Sequence, residues 1–211
     1  MIIVDPAVEF ITEKNPLKRI ELCGRVCYKS EDKITEDSAR RFVEARIKSG
    51  HTSILEHARV VITKAQIHEL QNSAYLGANP AARGAMARIN YGRYVPTVNV
   101  RDYIGFFGTL EEAVRRDATE DDYMTVRFTC DRAISNELVR HRVFSFSQES
   151  TRYVNYAGKE MEFVRPLPFD WATQENDMRY ISWWNACLNA KIYYHEHIHF
   201  QGTPQEARRA T

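Results

Sequence analysis

Two periods of hydrophobic and polar residues alternate along the chain. Leu17, Ile20, Cys23 and Cys27 recur at helical spacing and predict a helix over 17–28. Ala39, Phe42, Val43 and Ile47 predict a second helix that starts near Thr35, and Gly50 falls where a helix-ending glycine belongs. The stretch His51-Thr52-Ser53-Ile54-Leu55-Glu56-His57 reads as a loop, and 58–65 as a strand. Residues 70–122 show no clean period. They hold a loop-like Gly77-Ala78-Asn79-Pro80 and an aromatic run at Tyr91, Tyr94, Tyr103, Phe106 and Phe107. Within that region Thr109, with Glu112 three residues on, marks the start of a short helix through a capping box.

The cleanest strand follows. Met124, Val126, Phe128 and Cys130 alternate with Thr125, Arg127 and Thr129, which predicts one buried face. Asp131 is placed to cap a helix through Val139, and residues 140–153 form a polar loop. A long helix is predicted over 177–199, with Gly202 as its stop. Thr203-Pro204-Gln205-Glu206 then opens another, with Thr as N-cap and Pro in the first turn. Helices and two strands without a β-α-β rhythm predict an α+β fold.

Composition narrows the function classes. The 211 residues suffice for one domain with a buried core, and 44% hydrophobic, 11% aromatic and 27% charged residues are ordinary for a soluble globular protein. Lys and Arg total 29 against 28 Asp and Glu, so bulk electrostatic binding to a nucleic-acid polymer or an anionic membrane is not expected. No apolar run is long enough to span a bilayer, and the N-terminus, MIIVDPAVEF, lacks the pattern of a secretory signal. Cysteines at 23, 27, 130 and 187 make no C-x-x-C pair. The expectation is a cytoplasmic protein with reduced thiols.

Candidate chemistry concentrates in Arg140-His141-Arg142-Val143-Phe144-Ser145-Phe146-Ser147-Gln148-Glu149-Ser150-Thr151-Arg152-Tyr153. Arginine forks suit phosphates and the carbonyl edge of a base, and hydroxyls and loop amides complete such a cradle. A basic cluster at a helix end is also favoured by the helix dipole alone. The recurrence of serines and Arg152 after the cluster favours a ligand site.

Arg140-His141-Arg142, followed after seven residues by Ser150 and then Arg152-Tyr153, resembles the signature of the flavin-dependent thymidylate synthases. His51-Thr52-Ser53-Ile54-Leu55-Glu56-His57 resembles the family's H-x-[ST]-x-x-E-H segment, and Pro204-Gln205-Glu206-Ala207-Arg208-Arg209 resembles its later helix start. The resemblance implies a mainly antiparallel β-sheet flanked by helices, and a homotetramer with active sites shared between subunits. It implies FAD held by His51, Ser53, Glu56, Arg140, His141, Arg142, Ser147 and Gln148. It implies dUMP held by Glu137, Ser150, Thr151 and Arg152, with Arg208 or its neighbour Arg209 reaching in from another subunit. The implied reaction is reductive methylation of dUMP to dTMP with NADPH and methylenetetrahydrofolate as co-substrates.

On that resemblance Arg140 and Arg152 stabilise charge developing on the uracil carbonyl, and Ser150 hydrogen-bonds the base or phosphate. Ser150 has no dedicated base beside it in sequence and is not read as a nucleophile. The chain departs from the family in having Glu137 where Gln is common, Thr151 where Gly is common, and a long insertion at about 66–123 within a single 1–211 domain. The family also continues into helices bearing an N-x-R element and an Arg…His-x-Q segment, whereas this sequence ends at Thr211. The expectation is therefore weakened turnover even with FAD bound.

Two other readings compete. His195-Glu196-His197-Ile198-His199 satisfies H-E-x-x-H, the pattern of zinc hydrolases, with Gly202 at the spacing of a longer form. Gln205 stands where a third histidine would be, and a catalytic zinc needs three protein ligands. A histidine-rich helix end packed beside Trp184 and Leu188 is the favoured explanation, and no metal is expected. The second competitor is a nucleotide-binding module that takes FAD without turnover. It cannot be a Rossmann site, because no G-x-G-x-x-G follows a strand and Gly77 and Gly84 are too widely spaced. The pair Trp183-Trp184 is read as core or subunit interface.

Overall fold

The computed structural model describes residues 1–75, 80–91, 96–118, 123–167 and 177–210. Its first half runs β1 (Ile2–Val4), β2 (Ala7–Ile11), α1 (Pro16–Tyr28), α2 (Ser38–Lys48), a 3-10 turn (Thr52–His57), β3 (Arg59–Val61), α3 (Lys64–Tyr75) and α4 (Pro80–Ala87). The second half runs β4 (Asn90–Tyr91), β5 (Pro96–Asn99), α5 (Val100–Phe106), α6 (Leu110–Arg115), β6 (Thr125–Thr129), α7 (Arg132–Leu138), β7 (Glu162–Val164), α8 (Met178–His199) and α9 (Pro204–Ala207). The class is α+β, as expected. The strands form a three-stranded antiparallel sheet in the order β3-β5-β4, an antiparallel pair β2-β6, and a parallel pair β1-β7 that the sequence did not announce. No described helix is long and apolar enough to cross a membrane.

Local chemistry explains most helix starts. Asn15 caps α1 by accepting from the amides of Leu17 and Lys18, and Pro16 sits in the first turn, where no amide bond is lost. Thr109 and Thr203 form capping boxes with Glu112 and Glu206, and Asp131 and Asp177 cap α7 and α8. The second helix begins at Ser38 rather than near Thr35. The Ser38 hydroxyl accepts from the Thr35 amide at 2.9 Å and contacts the buried Glu21 carboxylate at 2.8 Å, which holds residues 35–37 in a turn. Gly50 has φ 77°, the left-handed conformation expected of a helix stop. Gly202 serves differently. Gln201 takes the positive φ of 65°, and Gly202 is needed because a Cβ there would lie 2.7 Å from the His197 carbonyl oxygen.

The main core joins Leu17 and Ile20 of α1, Phe42 and Val43 of α2, Ile54 and Leu55 of the 3-10 turn, Val60, Val98 and Tyr103. Burial of Ile54 and Leu55 pulls the 51–57 segment, expected as a loop, into a 3-10 turn against α1. The strand expected over 58–65 stops at Val61, because Thr63 and Gln66 cap each other at 3.1 and 3.2 Å and start α3. A second cluster, Val154, Tyr156, Met161, Tyr194 and Ala207, ties the polar loop's exit to α8 and α9. A third, Leu70, Ala82 and Ala85, lies between α3 and α4. The loop-like Gly77-Ala78-Asn79 lies outside the described residues, and Pro80 begins α4.

Gly24 shows how tightly the main core is filled. A Cβ at this position would sit 2.7 Å from the Phe42 ring and 3.1 Å from Ile54. Gly24→Val is therefore expected to destabilise the fold by about 2 kcal/mol through overpacking, seen as a lower urea midpoint at unchanged slope.

One face was read wrongly. β6 alternates as expected, in register with β2 through Val8↔Phe128 and Phe10↔Val126. However, Met124 (74%), Phe128 (48%), Val8 (63%) and Phe10 (64%) are exposed rather than buried. Alternation separates two faces of a strand but does not say which one a neighbour covers. Trp184 and Leu188 likewise lie on an exposed side of α8, while Trp183 is half-buried.

Candidate functional site

Helix α7 delivers the basic loop. Its last turn closes with the His141 amide on the Leu138 carbonyl at 3.1 Å, and the chain then runs without regular structure to Tyr153. At the exit the amides of Tyr153 and Val154 both donate to the Ser150 carbonyl, and buried Val154 enters the second core cluster. The Tyr156 amide donates to the Tyr194 hydroxyl at 3.2 Å, and the Tyr156 hydroxyl donates to the Glu149 carboxylate.

Between those ends the loop is held against α1 and the 3-10 turn at several points. The Ser145 hydroxyl donates to Glu56 Oε2 at 3.0 Å, and the Ser147 hydroxyl meets His57 Nε2 at 2.8 Å. The Ser150 amide donates to the Cys27 carbonyl at 3.1 Å. Serines two apart thus engage consecutive residues, Glu56 and His57, and the two segments singled out from the sequence are brought together. Glu56 is also paired with Arg101 at 2.6 Å. Burial holds His57 down to about 4, with the neighbouring Glu56 opposing, so its imidazole is neutral near pH 7. Burial also pushes the Cys27 thiol up, partly offset by the Ser147 hydroxyl and the Gln148 backbone.

The remaining candidates line the exposed side. Arg140 pairs with Glu137 at 2.9 Å, so the carboxylate that replaces the common Gln has its counter-charge one helical turn away. His141 and Arg142 are exposed, and their side chains bond to none of the described residues. His51 Nδ1 lies 2.7 Å from the Tyr28 hydroxyl, and the rings of Tyr28, His51 and Tyr153 gather within 6.0–6.4 Å of one another. The Arg46 guanidinium lies over Tyr28 at 5.3 Å, and that of Arg152 over Tyr153 at 5.7 Å. The Ser150 hydroxyl accepts from the Arg152 amide at 3.3 Å. Ser53 is exposed, Gln148 and Thr151 are half-buried, and Arg208 follows α9 in a 3-10 turn. No base is bonded to the Ser150 hydroxyl among the described residues, which fits its reading as a hydrogen-bonding group.

Sequence reasoning did not single out His57, Tyr28, Arg46 or Arg101, which the structure brings against the candidate residues. His57 was quoted in the motif but carried no role, although the Glu-His pair was a visible signal. Arg101 had none, because it lies in the unreadable middle of the chain.

The rival zinc motif does not assemble among the described residues. Among the described residues no three His, Cys, Asp or Glu side chains gather to hold a metal. The His195 ring packs on Tyr194 with its Nε2 buried and unbonded, and the His199 ring packs on Phe200. Burial raises all four thiols, to about 12 at Cys23 and about 11 at Cys187, which disfavours the nucleophilic thiolate.

No curated protein and no solved structure matches the chain. The family model described as thymidylate synthase complementing protein matches residues 9–71 and 115–210, which include both the 51–57 turn and the 140–153 loop. With most of its length matched, the chain belongs to the thymidylate synthase complementing proteins, the flavin-dependent thymidylate synthase family.

Proposed function

We propose that this chain catalyses reductive methylation of dUMP to dTMP with FAD as cofactor and methylenetetrahydrofolate and NADPH as co-substrates. The carrying observation is the pairing of Ser145 and Ser147 with Glu56 and His57, which joins the two family segments. The donor set fits a flavin nucleotide. Arg140, His141 and Arg142 offer charge-assisted donors to a pyrophosphate, Ser53, Ser147 and Gln148 offer neutral polar groups, and His51 stands in an aromatic cluster able to border a ring system. Bound FAD supplies the hydride chemistry.

The protein's part is to bind, orient and polarise. Glu137, Ser150, Thr151 and Arg152 are read as the dUMP site, in which Arg152 and Arg140 donate to the uracil carbonyl as negative charge develops there. Arg208 is read as the group that reaches a neighbouring subunit's site in a homotetramer, and the exposed apolar face of β2 and β6 offers surface for such assembly. The chain is read as one thymidylate synthase domain, with residues 66–123 as an insertion.

Absorbance spectroscopy tests the proposal. Purified protein titrated with FAD is expected to show flavin bands that shift again on addition of dUMP. Flavin bands unmoved by protein and dUMP would overturn it.

A further inference from the structure

The Glu56 carboxylate is gripped from two sides. Ser145 of the basic loop donates to Oε2 at 3.0 Å, and Arg101 donates to Oε1 at 2.6 Å. Arg101 comes from α5, in the stretch 72–114 that lies between the two blocks matched by the family model.

Its placement is rigid. The Val100 amide donates to the Ala58 carbonyl at 2.9 Å, immediately after the 3-10 turn that carries Glu56, and the Val100 side chain is buried. Asn99 pairs with Arg59 across β5 and β3, and its side chain caps α5 by accepting from the Asp102 amide at 2.8 Å. Asp102 is held in turn by a bidentate contact from Arg88 at 2.6 and 2.8 Å. The first turn of α5 is thus fastened beside Glu56 by backbone, cap and ion pair.

Glu56 is largely buried, its side chain 20% exposed, whereas that of Arg101 is 48% exposed. A carboxylate in that setting beside an anionic ligand is repulsive unless a cation offsets it. We propose that Arg101 is a positioning residue of the flavin site, offsetting the Glu56 charge and aiming its second oxygen at Ser145. Through it the segment 72–114 sets where the 140–153 loop lies. This rests on the flavin reading above.

The test is a mutant cycle on FAD affinity, read by quenching of flavin fluorescence, with melting temperature as a control. Arg101→Gln is expected to weaken FAD about tenfold, and Arg101→Lys, which keeps the charge, by no more than about threefold. In a Glu56→Gln background, where no charge remains to offset, Arg101→Gln is expected to add less than about twofold. Melting temperature is expected to move little, because the Arg101 end of the pair is half-exposed to screening water. Arg101→Gln within twofold of the parent overturns the proposal, as does an equal loss in both backgrounds. A parent chain that leaves FAD unbound removes the flavin reading and this inference together. Parent binding with an indifferent Arg101 removes this inference alone.

Discussion

Arg152→Gln is expected to slow dTMP formation by about 10²–10³-fold relative to the parent chain, with FAD affinity within about twofold. Two arginines are candidates to meet the charge that develops on the uracil carbonyl, and their surroundings differ. Arg140 is already engaged by Glu137 at 2.9 Å, which cancels part of its field. Arg152 has no acidic partner among the described residues. Its guanidinium lies over the Tyr153 ring at 5.7 Å, and its backbone is tied to the Ser150 hydroxyl. An unpaired, pre-placed cation contributes more to a developing anion than one that must be drawn from a carboxylate. Arg140→Gln is accordingly expected to cost only about tenfold. Product formed at saturating dUMP, together with FAD and dUMP titrations, separates the two variants. If Arg152→Gln turns over within about threefold of the parent, Arg152 is not the group that meets the charge.

Features governed by short-range chemistry were legible before the structure. The capping box at Thr109, the Thr203 and Asp131 caps and the Gly50 stop each depend on groups two or three residues apart. The same kind of signal at Thr63 and Gln66 starts α3, and it passed unread because a strand was expected to run through it. The site was legible in its parts but not in its assembly. His57 and Ser147 lie 90 residues apart, as do Glu56 and Ser145 to within one residue, and only folding brings the pairs together. Arg101 was beyond reach for the same reason, since its role is set by the packing of α5 on the 3-10 turn. The exposed face of β6 marks a third limit. Period-two alternation there is genuine, yet burial depends on a neighbour that the strand's own residues do not encode.

Lowering the pH from 7 to 4 is expected to cost the fold about 3 kcal/mol through His57 alone. Burial holds this imidazole down to about 4 against an ordinary value of 6.5, with Glu56 only partly opposing. Between those two values the unfolded chain takes up a proton that the native chain refuses. Stability from His57 is therefore complete above about pH 6.5, falls as the pH drops through the window, and levels off below about 4. Asp117 works in the opposite sense. Burial raises its carboxyl to about 6, so that group's contribution grows as the pH falls across part of the same range. The parent curve sums these with the other shifted carboxyls, and a difference against a variant is needed to isolate the histidine. His57→Gln serves, because the amide can still bond the Ser147 hydroxyl but does not titrate. Urea midpoints of the two chains at several values between pH 7 and 4.5 are expected to converge as the pH falls, the parent losing stability faster. Parallel curves would mean that His57 does not titrate differently in the native and unfolded chains. The same variant reports on the site, since an amide that keeps Ser147 in place is expected to leave FAD affinity within about threefold of the parent at pH 7.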